Sequence, residues 1–136
     1  MRMLLAPLLL AVSGAAAAAV PAPIAGRWIT VDGKALVEIG ACGAQTCGRI
    51  VRVLKVDPTK PTVDANNPDK ALRTRPILGM IFLTGFAPGN DRWRGRIYDP
   101  ESGKSYRSEL IRSGNVLKVK GCVGPFCRTQ VWTAAR

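Results

Sequence analysis

The sequence predicts an all-β domain: an eight-stranded antiparallel up-and-down β-barrel with one long loop or short helix between strands 3 and 4. Three observations lead there. Strand-like runs, alternating or rich in β-branched residues, recur eight times; the punctuation between them is short; and only one connection is long. Sequential antiparallel strands of this number favour closure, because a barrel leaves no exposed edge to pair with another chain.

The first run, Gly26–Asp32, ends at the turn dipeptide Asp32-Gly33. Lys34–Cys42 (KALVEIGAC) and Cys47–Lys55 (CGRIVRVLK) follow, and the four residues between them, Gly43 to Thr46, suit a hairpin. The long connection, Val56–Pro76, is polar and proline-rich, with one helical turn expected from Pro68 behind Asn67 as N-cap. A connection of that length in a small domain acts as a functional lid or as a passive flap, and sequence does not separate the two. Then come Ile77–Phe86, Asp91–Asp99, Lys104–Arg112, Val116–Cys122 and Cys127–Ala134, punctuated by Pro88-Gly89-Asn90, Asp99–Gly103 and Ser113-Gly114-Asn115. In an up-and-down barrel alternate turns share an end. Asp32-Gly33, Val56–Pro76, Asp99–Gly103 and Val123–Phe126 therefore gather at one end, with Gly43–Thr46, Phe86–Asn90 and both termini at the other.

Ahead of these strands, residues 1–19 have the layout of a secretory signal peptide: Arg2, an apolar run from Met3 to Val12, and small residues ending in Ala17-Ala18-Ala19. The apolar run is too short for a membrane span, which needs about 20 residues. Cleavage is expected after Ala19, leaving residues 20–136 as one domain in the bacterial periplasm or secreted. A chain of that size buries roughly two-thirds of its unfolded surface, a modest core that gains from disulfides. The formal net charge is +11. Export turns that charge away from nucleic acid and towards anionic lipid or acidic polymers.

The four cysteines form two pairs of equal spacing, Cys42/Cys47 and Cys122/Cys127. Four intervening residues are wide for a zinc site and unlike the two of a thioredoxin-type redox site, and an oxidising compartment favours sulfur pairing. Each pair flanks a hairpin mouth, so the expected bonds are local, Cys42 to Cys47 and Cys122 to Cys127. No metal and no cofactor are expected.

Taken together, GRWITVDGKALVEIGAC…CGRIV, NNPDKALRTRPILGM, WRGRIYDPESGKSY and LKVKGCVGPFCRTQVW resemble the exported bacterial proteins grouped as domain of unknown function 2147. That resemblance implies a fold similar to the lipocalin and fatty-acid-binding superfamily and leaves activity open. Gly26-Arg27-Trp28 is similar to the Gly-x-Trp signature of that superfamily, which implies a tryptophan plugging the closed end beneath a basic residue of the last strand, here Arg136.

Alternation assigns faces. Trp28, Val37, Ile39, Val51, Val53, Met80, Phe82, Trp93, Ile97, Tyr106, Leu110, Leu117, Val119 and Trp132 should point inward. Arg92, Arg94 and Arg96 then point outward beside Arg107, Lys118 and Lys120, a basic stripe that serves either as a solvated face or as an attractor of anionic lipid or polymer. A barrel of eight strands is either filled by side chains or holds one small ligand. The candidate ligand-binding residues at the mouth are Asp64, Asn67, Arg73, Arg75, Tyr98, Asp99 and Lys104. Arg73 and Arg75 suit bidentate capture of a carboxylate or phosphate, and equally suit pinning the long loop to Asp64, Asp69 or Asp99. Catalysis has little support: the chain has no histidine, and no phosphate-binding glycine loop occurs. The expected function is binding of a small apolar or amphipathic anionic ligand. The alternative is a filled barrel that docks on envelope components, whether anionic lipid, polymer or protein.

Overall fold

The computed structural model describes residues 9–15 and 20–136. Most of the expected signal peptide, including Ala17-Ala18-Ala19, lies outside the described residues. Eight strands form one closed barrel in sequence order. They are β1 (Gly26–Ile29), β2 (Ala35–Cys42), β3 (Gln45–Val53), β4 (Ile81–Pro88), β5 (Trp93–Asp99), β6 (Lys104–Ser113), β7 (Val116–Val123) and β8 (Phe126–Ala134). All neighbouring pairs are antiparallel, so the two sets of turns separate to opposite ends as the sequence implied. The seam is short. β1 meets β8 only at Trp28↔Ala134 and Ile29↔Thr133, and Phe126 to Gln130 run on past the end of β1.

The end that carries the termini is packed solid. Ile24, Trp28, Phe86, Leu110, Leu117 and Trp132 are all buried there or in the adjoining core layer. The segment before β1 closes this end, because the Trp28 indole donates to the Ile24 carbonyl and the Trp93 indole to the Ala22 carbonyl, each at 3.0 Å. The cation over Trp28 comes from β6, not from the C-terminus. Arg112 lies 5.1 Å from the Trp28 ring centroid and bonds the Pro23 carbonyl, whereas Arg136 is exposed. The terminus is held elsewhere, through Ala135 N–H to the Arg27 carbonyl.

Two β-bulges correct the sequence-based faces. A shift between Leu36 and Val37 places Ile50, rather than Val51, opposite Val37 in the core, and leaves Val53 half-exposed at the rim. In β4 the shift at Gly85, where φ is +66°, brings Leu83 and Phe86 both inward. Close approach explains two other glycines. A Cβ on Gly48 would lie 2.6 Å from the Leu83 side chain, and one on Gly95 would lie 2.7 Å from Phe86.

The two cysteine hairpins differ by register. In β7–β8 the two-residue turn Gly124-Pro125 sets Cys122 opposite Cys127, and their sulfurs are bonded across a Cα separation of 4.0 Å. In β2–β3 the turn is also two residues, Gly43-Ala44, not the four expected. Cys42 therefore faces Gln45 and Cys47 faces Gly40. The expected Cys42–Cys47 bond is not formed here: both are free thiols, and burial together with the adjacent Cys42 pushes the Cys47 thiol up to about 11.

Candidate functional site

Opposite the packed end the barrel is hollow. A half-open cavity of about 520 Å³ is lined from β5–β8 by Ile97, Asp99, Tyr106, Val119, Gly121, Val123, Phe126, Cys127, Arg128 and Gln130. The cup exists because the inward positions of β7 and β8 change character along their length. Near the packed end they are Leu117 and Trp132; two and four residues further they are Val119 and Gly121 on one strand, Gln130 and Arg128 on the other. Phe126 to Val131 are exposed whichever way they point, as expected where solvent reaches both faces of a strand.

Arg128, Gln130, Tyr106 and Asp99 are the polar side chains of the lining, and Ser108 is buried in the wall beside it. The Arg128 side chain has neither a hydrogen bond nor an ion pair among the described residues, so its guanidinium is free for an anion. Gln130 lies one inward position deeper. Ser108 lies opposite Gly121, between Tyr106 and Leu110 on the inward face. It is fully buried, and its hydroxyl has no hydrogen-bond partner among the described residues. An orphaned buried hydroxyl costs about 1–3 kcal/mol, so a partner at that point is favourable.

The residues expected to bind ligand gather elsewhere. Asp64, completely buried, accepts from Tyr98 Oη at 2.6 Å, Asn67 Nδ2 at 2.8 Å and Arg75 Nε at 3.0 Å. The Arg75 guanidinium also lies 5.6 Å from the Tyr98 ring centroid, and Arg73 Nε donates to the Asn67 carbonyl at 2.7 Å. Burial alone would raise the Asp64 carboxyl. The donors outweigh it, Tyr98 first and then Asn67 and Arg75, and hold the carboxyl below the usual carboxylate range. Burial and the Asp64 carboxylate push Tyr98 up to about 12.

This cluster is a latch on the long loop. Asn66 Nδ2 donates to the Glu101 carbonyl, Lys60 pairs with Glu101, and Gly103 (φ +70°) packs directly on the Asn66 backbone. The expected helical turn shrinks to a 3-10 turn, Lys70–Leu72, capped by the Asp69 side chain and not by Asn67. Tyr98 alternates with Ile97 and Asp99, which line the cup, and itself does not line it. Of the seven expected ligand residues, Asp99 alone lines the cavity, and its carboxylate accepts from the Glu101 amide. Lys104 lines a second groove at the rim.

The outward stripe is present but interrupted. Arg92 is paired to Asp91 and Glu109 at 2.8 and 2.7 Å, and Glu109 faces Arg94 and Lys120 across its neighbouring strands. Arg96 and Arg107 donate to the Ser105 and Gly124 carbonyls, and Lys118 lies beyond Ile111.

Residues 26–134 match the family model described as an uncharacterized protein conserved in bacteria, DUF2147. Among solved structures the chain is similar to protein HP1028 from the human pathogen Helicobacter pylori, described as belonging to the lipocalin family. The match has 22% identity over 84% of each chain and a TM-score of 0.72, a likeness of fold. No curated protein sequence matches the chain.

Proposed function

The chain belongs to the DUF2147 family, with a lipocalin-like barrel, and we propose that it binds a small amphipathic anion in the cup between β5 and β8. The observation that carries this reading is the Arg128 side chain, unpaired among the described residues, in a cavity whose other lining is largely apolar and small, with Asp99, Tyr106 and Gln130 as its remaining polar groups. A cavity of about 520 Å³ falls in the range of small-ligand sites. A carboxylate or phosphate head would lie on Arg128, with Gln130 as a neutral hydrogen-bonding group below it. The apolar part would rest on Ile97, Val119 and Val123. The long loop contributes support to the wall through its latch, and its arginines are not part of the ligand site in this reading.

Export completes the proposal. The signal-like residues 1–19 and the formed Cys122–Cys127 bond support a mature chain starting at Val20 in an oxidising compartment. N-terminal sequencing of protein recovered from outside the cytoplasm tests the start point.

Ligand binding is tested by displacement of 1-anilinonaphthalene-8-sulfonate with decanoate and, separately, with decanol. Decanoate should displace the probe, and Arg128→Gln should weaken decanoate about tenfold or more while changing decanol little. Failure of every such amphiphile to displace the probe, or equal affinities in the Arg128→Gln variant, would overturn the assignment.

A further inference from the structure

We infer that the β7–β8 hairpin tip docks on an anionic lipid bilayer, so that the mouth of the barrel faces the membrane surface. The tip, Val123-Gly124-Pro125-Phe126, exposes two large apolar side chains: Val123 is 65% and Phe126 81% exposed. Large apolar groups at a turn have no folding role that requires such exposure, and adjacent apolar tips surrounded by cations fit the boundary between headgroups and acyl chains. Directly beside the tip, at the rim of the barrel, runs a shallow groove lined by Arg96, Lys104, Ser105, Tyr106, Arg107, Cys122 and Val123. It holds three cations and no carboxylate. The groove thus matches a lipid phosphate where the tip matches the acyl boundary, and this pairing of the two chemistries a few residues apart selects a bilayer over a soluble anion.

The tip is also rigid before it meets a partner. Cys122–Cys127 closes its base and Arg107 Nη2 donates to the Gly124 carbonyl at 2.8 Å, so little conformational freedom is lost on docking. The acid-interrupted stripe around Arg92 does not combine these features. Each cation near an anionic surface adds attraction that falls off within a Debye length, so salt should weaken but not abolish attachment through an apolar tip.

Flotation with vesicles of phosphatidylcholine alone and of phosphatidylcholine with phosphatidylglycerol tests it. The protein should float with the anionic vesicles, and a Val123→Ser/Phe126→Ser variant should bind about tenfold more weakly. Arg96→Gln/Lys104→Gln should lose the preference for phosphatidylglycerol, whereas Lys118→Gln/Lys120→Gln should bind as the unaltered protein does. A Phe126→Trp variant adds a positional readout: its added emission should shift to the blue and be quenched by brominated acyl chains. Flotation without that quenching, flotation unaffected by the tip variant, or no flotation at all would each overturn the inference.

Discussion

The two ends of this barrel are built from the same eight strands and do opposite things. At one end inward positions carry Trp28, Phe86, Leu110, Leu117 and Trp132, and the chain before β1 is folded across the opening with Ile24 as its plug. At the other the same strands present Gly121, Ser108, Gln130 and Arg128, and a cup remains. Strand number sets the diameter, but side-chain volume at each layer decides whether the space is filled. The packed end supplies the stability that lets the other end stay hollow, with an orphaned hydroxyl and an unpaired cation.

The largest effect should come from opening the packed end. Trp28→Ala removes a large buried side chain, the hydrogen bond that holds Ile24 and the platform under Arg112, and should destabilise by about 3–5 kcal/mol in denaturant unfolding. A loss below about 1 kcal/mol would mean that this end is not what holds the barrel. Next is the latch beside the cup. Asp64→Ala strands Arg75, Tyr98 and Asn67 without their acceptor and should cost about 3 kcal/mol, with faster amide exchange confined at first to residues 56–76. Uniform exchange across the barrel would show that the latch is part of the global core.

A smaller effect should separate the two cysteine hairpins, one at each end. Replacing Cys122 and Cys127 by serine removes a short closed loop and should cost about 2 kcal/mol. The same change at Cys42 and Cys47, free in this structure, should cost less than about 0.5 kcal/mol. Equal costs would indicate that the first pair is bonded in the purified protein.

A loss somewhat below that of the Cys122–Cys127 bond, about 1.5 kcal/mol at neutral pH, is expected for Tyr98→Phe, which loses one hydrogen bond to a carboxylate. Its pH dependence is more telling. Because the folded-state tyrosine titrates higher than the unfolded one, its contribution is complete below about pH 10 and is lost as pH rises towards about 12. Asp64 is shifted the other way, so its contribution is present above the ordinary carboxylate range and is lost as pH falls through its lowered value. Alkaline destabilisation that persists in Tyr98→Phe would detach it from the latch.

Much of the fold was legible because its signals are local: alternation, turn dipeptides and the order of strands located all eight and sorted the turns to their ends. The errors arose where one residue changes the count. The bulges near Val51 and at Gly85 break the alternation, so that Ile50 replaces Val51 inside and Leu83 joins Phe86 there, and a two-residue turn at Gly43-Ala44 displaces the first cysteine pair from direct opposition. The site was harder. Asp64, Arg75 and Tyr98 were correctly grouped near the mouth, yet whether they meet one another or a ligand depends on where a 21-residue polar connection, 56–76, folds back, and alternation carries no information about that. Arg128 and Gln130 were within reach of the sequence, since counting back by twos from the inward Trp132 puts both inside.

The hollow end is the centre of this account, and filling it is the most direct test. Gly121 offers the means, because a Cβ there would meet Ile97 at an ordinary 3.8 Å, so Gly121→Leu should fold and occupy the cup. Native mass spectra would be recorded for the protein and this variant, both isolated from the expressing bacterium without detergent and incubated with decanoate. The account predicts a bound small acid on the unaltered protein and none on an equally stable Gly121→Leu. An unaltered protein that stays empty, or a filled variant that carries the same bound mass, would contradict it.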